Sequence, residues 1–153
     1  MNALELKVPP PVVFLVCLGL LYAGHIVLPF ASVAPPFNTP IALIIVLVGG
    51  LLGAQAVLAF IKAKTTVHPM HPEEASALVT SGFYRISRNP MYLGLLLFLL
   101  AAGFYWGTLT LIAVGPLFIW YMTEFQIKPE ETRLADKFGE DYLDYLTKVR
   151  RWI

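Results

Sequence analysis

Apolar residues run along this chain in long unbroken blocks, separated by short connectors rich in proline, glycine or charge. The first block, about 12–30, follows Pro9, Pro10 and Pro11 and holds no titratable side chain except Cys17, Tyr22 and His25. A second covers about 41–61, and two shorter ones, about 91–106 and 109–123, meet at Gly107-Thr108. A helix rises ~1.5 Å per residue, so ~20 apolar residues cross the ~30 Å hydrocarbon layer of a bilayer. The first two blocks meet that length, and the last two, slightly short, predict a tight helical hairpin. The pattern therefore predicts four transmembrane helices. A signal peptide is the competing reading of the first block, but it wants a shorter apolar region and a more basic leader, so a retained span is expected.

Beyond the fourth block the pattern changes. Leu134, Phe138, Tyr142, Tyr145 and Leu146 recur at helical spacing among Glu130, Glu131, Arg133, Asp136, Lys137, Glu140 and Asp141. That is one apolar face of an amphipathic helix over about 129–146, with Gly139 its weak point. It would lie along the membrane surface or pack on the bundle. The predicted fold class is all-α: a polytopic membrane helix bundle of about four transmembrane helices plus a cytoplasmic amphipathic C-terminal helix, in a single domain over 1–153.

Composition narrows the function classes. Hydrophobic residues make up 58% of the chain and charged ones 14%, against about 45–50% and about 25% in an average soluble domain. The polar remainder is too short for a separate soluble catalytic domain, and no Gly-x-Gly-x-x-Gly follows a strand pattern, so any cofactor must be held by helix ends and loops. A net charge of +1 argues against a nucleic-acid partner, which needs a broad basic face. Cys17, alone in an apolar helix, reads as a small buried hydrophobe. Lysine and arginine set the orientation: Lys62, Lys64, Arg85 and Arg88 lie between the second and third blocks, more follow in the carboxyl tail, and the other two connectors have none. Both termini and the 82–94 stretch are thus expected in the cytoplasm, in a cell inner membrane.

The stretch 82–94, Gly-Phe-Tyr-Arg-Ile-Ser-Arg-Asn-Pro-Met-Tyr-Leu-Gly, packs two arginines, two tyrosines and a helix start at the edge of an apolar run. Pro90 suits the first helical position, with Asn89 or Ser87 as cap, so backbone N–H groups and Arg88 would together favour a carboxylate or phosphate. Arg85 and Arg88 share a face if the helix begins early; otherwise only one can point into a pocket. Arginines here serve equally as topological anchors. Glu130 and Glu131 change the balance, because they return to the same membrane face just beyond the fourth block. Tyr84, Tyr92, Tyr142 and Tyr145 add aromatic faces suited to a cationic ligand. His68 and His71 are spaced like a metal pair, but Pro69 and Pro72 break any helix there, and no metal site is expected. His25 reads as an interfacial histidine at the far end of the first span, and Gly49, Gly50 and Gly53 as small residues that let another helix approach closely.

These motifs stand together and in order: Leu-Val-Thr-Ser-Gly-Phe-Tyr-Arg-Ile-Ser-Arg-Asn-Pro-Met-Tyr-Leu-Gly, then Pro-Glu-Glu-Thr-Arg-Leu after two spans, then Phe-Gly-Glu-Asp-Tyr-Leu-Asp-Tyr and Val-Arg-Arg-Trp. From about Thr65 to the carboxyl end the chain resembles the isoprenylcysteine carboxyl methyltransferase family and its relatives among membrane phospholipid methyltransferases. The resemblance implies S-adenosylmethionine in a cytosolic pocket and a lipophilic small-molecule or lipidated substrate entering from membrane lipid; it leaves the oligomeric state open. It implies cofactor contacts from Val67, His68, Tyr84, Arg88, Asn89, Pro90, Tyr92, Glu130 and Glu131; the last helix would close the cofactor site against water, with Tyr142 on its inner face. Arg88, Glu130 and Glu131 are the catalytic candidates: Arg88 to bind a carboxylate of cofactor or substrate, and one of the glutamates to hold the cofactor's hydroxyl or amino groups or to act as base. Asn89 stands where the eukaryotic prenylcysteine enzymes typically have histidine, so the prenylcysteine substrate does not follow. The rival readings are an NADPH-dependent membrane reductase of the sterol-reductase type, and a small four-helix transporter or structural membrane protein.

Overall fold

The computed structural model of the chain describes residues 5–28, 38–65 and 74–153. Among them every regular element is helical. The chain runs through α1 (Pro10–Val27), α2 (Asn38–Lys62), a 3₁₀ turn (Gly82–Arg85), α3 (Pro90–Trp106), α4 (Leu111–Tyr121), a π-helical segment (Met122–Ile127), α5 (Lys128–Phe138) and α6 (Glu140–Lys148). Two of these, α1 and α2, are long and apolar enough to cross a membrane, while α3 is a shorter apolar helix.

The first two helices begin earlier than their apolar runs suggest, at Pro10 and Asn38. Proline is tolerated in a first turn because its missing N–H would have no partner there, so Pro10 and Pro40 lie inside helices rather than ahead of them.

Helix α3 is the centre of the bundle. It is apolar on all sides, the pattern of a helix covered all round, and it packs most extensively on α2, then on α1 and α4. Leu21 of α1, Leu99 of α3, Phe118 of α4, and Met122 and Ile127 of the π segment are fully buried at the core. The α2–α3 contact depends on Gly49 and Gly94: a Cβ on Gly94 would lie 3.0 Å from the Gly49 carbonyl oxygen, and one on Gly49 would lie 3.1 Å from Leu97. Backbones that close gain dispersion contact where lipid offers no hydrophobic drive.

Two departures from the sequence pattern shape the carboxyl half. The fourth apolar block does not end at 123 but continues, through the wider π turn, straight into α5. Pro129 gives the reason: it has no N–H to offer the preceding turn, and the Phe125 carbonyl, four residues back, instead accepts the backbone N–H of Leu6 at 3.0 Å. The expected single helix over 129–146 is two, broken at Gly139, whose φ of 54° lies in the left-handed region that favours glycine. The turn folds α6 back, so that Tyr142 and Tyr145 pack beside Leu134 and Phe138 of α5 and Leu78 of the segment before α3.

Candidate active site

The last residues close the site by pairing with the start of α3. Ser87 and Arg150 form an isolated parallel bridge, and the Arg88 N–H donates to the Arg150 carbonyl at 3.0 Å. Asn89 holds the N-cap position of α3, but its side chain makes no capping bond; its Nδ2 donates instead to the Arg151 carbonyl at 3.0 Å. Ser87 does not cap the helix either: its hydroxyl accepts the Asn89 N–H at 3.1 Å and donates to the Arg151 carbonyl. The expected side-chain cap is therefore replaced by a tie to the carboxyl terminus. Pro90 is buried as the first residue of α3.

Of the two arginines, Arg85 is exposed and Arg88 turns inward. Arg88 Nη1 donates to the carbonyls of Leu146 at 3.1 Å and Val149 at 2.8 Å, and Nη2 to Glu131 Oε1 at 2.7 Å. Its Nε is buried without a partner among the described residues. Arg151 grips the same glutamate in a fork, Nε to Oε1 at 3.0 Å and Nη2 to Oε2 at 2.7 Å. Both oxygens of Glu131 are thus taken by guanidinium groups.

Glu130, one residue earlier, faces different chemistry. Its Oε1 accepts the Tyr92 hydroxyl at 2.6 Å and Gln126 Nε2 at 2.6 Å, which leaves Oε2 for the cavity beside it. Glu130 is half-buried and lines that cavity. Burial raises its pKa from the ordinary 4.5 to about 7, against the pull of the Tyr92 and Gln126 hydrogen bonds and with a push from the Glu131 charge. Burial would raise Glu131 too, but the hydrogen bonds and charges of Arg151 and Arg88 outweigh it and hold that carboxyl below its ordinary range. Adjacent carboxylates with pKa values driven apart are a pattern of divided roles.

The cavity has a volume of about 470 Å³ and two kinds of wall. Its lining holds the polar side chains of Arg88, Asn89, Glu130, Glu131, Tyr142 and Tyr145 and the apolar residues Gly50, Gly53, Val57, Leu95 and Phe98. Tyr84 and Tyr92 also border it. Tyr145 donates to the Tyr84 carbonyl at 2.6 Å, which fixes α6 on the 3₁₀ turn, and burial pushes the Tyr145 hydroxyl up to about 12. Burial likewise raises Tyr84 and Tyr142, so both are neutral hydroxyls. The glycines of α2 divide their work: Gly49 meets α3, whereas a Cβ on Gly50 or Gly53 would meet nothing within 4 Å.

The structure thus gathers Tyr84, Arg88, Asn89, Tyr92, Glu130, Glu131 and Tyr142 around one cavity. Val67 and His68, as well as His71, lie outside the described residues. No group of acids, histidines and cysteines able to hold a metal is found among the described residues. Sequence reasoning missed Gln126 and Arg151. Gln126 is four residues before Glu130 on a helical path, a spacing that could have suggested the pair; Arg151 lies in the Val-Arg-Arg-Trp motif, which was given no place in the site.

The phospholipid methyltransferase family model matches residues 37–141, a stretch that contains the Arg-Asn-Pro start of α3, both glutamates and the α2–α3 contact. The chain belongs to that family. Three relatives place this family member further. An uncharacterized protein of Haemophilus influenzae is 48% identical over 64 residues, 41% of this chain and 100% of that protein. A probable protein-S-isoprenylcysteine O-methyltransferase of Oryza sativa is 28% identical over 113 residues, 74% of this chain and 59% of the relative. The protein-S-isoprenylcysteine O-methyltransferase of Xenopus laevis is 34% identical over 118 residues, 71% of this chain and 38% of the relative. The chain therefore spans under two thirds of either methyltransferase. No solved structure matches it significantly. Family and relatives agree with the likeness read from the motifs, and with a methyltransferase of membrane type.

Proposed function

We propose that this chain is an integral-membrane methyltransferase that uses S-adenosylmethionine and acts on a lipophilic acceptor at the cytoplasmic membrane face. The observation that carries the reading is one cavity lined both by the polar Arg88, Glu130 and Tyr142 and by the apolar Gly53, Leu95 and Phe98. The reading takes four spans: α1 and α2, which are long and apolar enough to cross a membrane, then the shorter α3 and a last one made by α4 with the π segment that follows. The absence of lysine and arginine from the two connectors at the far end supports a cytoplasmic cavity mouth.

The residues fit the cofactor. A cation with a polar tail is matched by the Glu130 carboxylate, the neutral ring faces of Tyr84, Tyr142 and Tyr145, and the unpartnered Arg88 Nε. A volume of about 470 Å³ falls in the range of roughly 300–1,000 Å³ usual for small-molecule sites. Bound there, S-adenosylmethionine would supply a methyl group on a positively charged sulfur, ready for in-line displacement.

The protein's share is alignment and charge. Holding reactants in line can contribute about 7–11 kcal/mol, and the rigid α2–α3 contact together with the carboxyl-terminal tie provides the frame. Glu130 Oε2 takes the proton of an amine or hydroxyl acceptor, a task suited to a carboxyl group titrating at about 7. A carboxylate acceptor needs no base and would meet Arg88 instead. Glu131, saturated by two guanidiniums, holds Arg88 in place rather than moving protons. The two methyltransferase relatives are named for protein isoprenylcysteine; Asn89, tied to Arg151, leaves the acceptor's chemistry open between these headgroups.

The test is transfer of labelled methyl from S-adenosylmethionine into the organic-extractable fraction of membranes containing the protein. Label above that of membranes lacking it, and abolished by Glu130→Gln, is expected. Label equal to the protein-free membranes sinks the reading.

A further inference from the structure

The geometry points to Arg151 as a positioning residue of the active site, the outer clamp that holds Glu131 so that Arg88 keeps one orientation at the cavity. The inference rests on the methyltransferase reading of the same cavity. Its basis is the division of hydrogen bonds. Arg88 has five N–H groups; those on Nη1 serve the Leu146 and Val149 carbonyls and Nη2 serves Glu131. Of its three nitrogens, only the buried Nε is left without a partner among the described residues. Which way Nε points therefore depends on where Glu131 sits, and Glu131 makes both remaining contacts with Arg151, at 3.0 and 2.7 Å.

Arg151 is placed from two further directions. Its carbonyl accepts Asn89 Nδ2, and the next residue, Trp152, donates its indole N–H to Thr123 Oγ1 at 3.1 Å. Thr123 belongs to the π segment that also carries Gln126, so the same tail fixes both the Arg88 and the Glu130 sides of the cavity. The Arg151 side chain is one-third exposed, so its fork is built without burying the whole group. A forked guanidinium–carboxylate contact fixes orientation in a way a lysine point charge cannot.

Arg151 also bears on Glu130 through charge. Glu130 is faced by Tyr92 from α3, Tyr84 from the 3₁₀ turn, Tyr142 from α6 and Glu131 on its own helix. The charge of Glu131 raises the Glu130 pKa, and Arg151 offsets that charge.

The experiment is calorimetric binding of S-adenosylhomocysteine to the detergent-purified full chain across pH 5.5–8.5, for wild type, Arg151→Gln and Arg151→Lys, with thermal unfolding of each. The expected result for Arg151→Gln is an affinity loss on the order of tenfold or more and an upward shift of the pH midpoint. Arg151→Lys should restore the midpoint, because it keeps the charge, but not the full affinity, because it loses the fork. A purely structural role would lower the unfolding temperature and the competent fraction, with affinity per folded molecule and midpoint unchanged; that overturns the inference. If Arg151→Gln fails to fold, Arg151→Lys decides alone: wild-type affinity in it contradicts the clamp. Absence of binding by wild type instead overturns the underlying methyltransferase reading.

Discussion

Tyr92, on α3, donates its hydroxyl to Glu130 Oε1 at 2.6 Å across 38 positions of sequence. The bond joins the start of the central helix to the first turn of α5, and it stabilises the ionised form of the carboxyl group. Tyr92→Phe should therefore move the titration of Glu130 upward by about half a unit to one unit. The measurement is the pH dependence of cofactor-analogue binding; an unchanged midpoint would mean that Glu130 does not govern it.

Glu130 should also leave a mark on stability. Its folded pKa, about 7, exceeds the ordinary 4.5, so the folded state binds the proton more tightly than the unfolded one. Stability from this group is full below about 4.5, falls as pH rises toward 7, and stays reduced above. The difference is on the order of 3 kcal/mol. Glu130→Gln should flatten that part of the pH–stability profile, followed by thermal unfolding in detergent from pH 4.5 to 8, while abolishing methyl transfer.

Glu131→Gln should behave in the opposite way. It leaves Arg88 and Arg151 facing one neutral amide, an uncompensated pair of partly buried charges. Loss of stability on the order of 2 kcal/mol is expected, below the value for a fully buried pair because Arg151 is partly exposed. Comparing unfolding of the two single variants checks the division of roles, which fails if they are destabilised alike.

Gly53 and Gly49 offer a second contrast. Gly53→Leu places a side chain where nothing lies within 4 Å, so it should narrow the cavity beside its apolar lining and raise KM for a long-chain acceptor at least several-fold, with cofactor binding intact. Gly49→Leu should instead force α2 from α3 and destabilise the bundle, by at least about 1–3 kcal/mol. Kinetics with acceptors of different chain length, beside unfolding measurements, separate the two.

The all-helical fold was legible because 20-residue apolar blocks leave little choice, and the cluster at 82–94 because arginine beside a proline-started apolar helix is a distinctive grouping. What the pattern could not supply was register. Nothing local in Met122–Ile127 marks a π turn, since it follows from Pro129 and from a carbonyl satisfied by Leu6, far away in sequence. Asn89 was read as a cap by its position alone, while its side chain answers to Arg151, 62 residues on. The two glutamates were equivalent in sequence; only burial against Tyr92 on one side and two arginines on the other tells them apart. The three glycines of α2 likewise looked like one packing motif until α3 was found to contact them unequally.

Calorimetric titration of S-adenosylhomocysteine into the purified wild-type protein at pH 7.5 tests the cofactor site without requiring the acceptor to be known. One-to-one binding is expected, weakened at least tenfold on the scale of a lost charge-assisted contact in Glu130→Gln. A wild-type protein that is folded and gives no binding heat at any temperature tried would contradict the assignment of this cavity to a methyl-donor site.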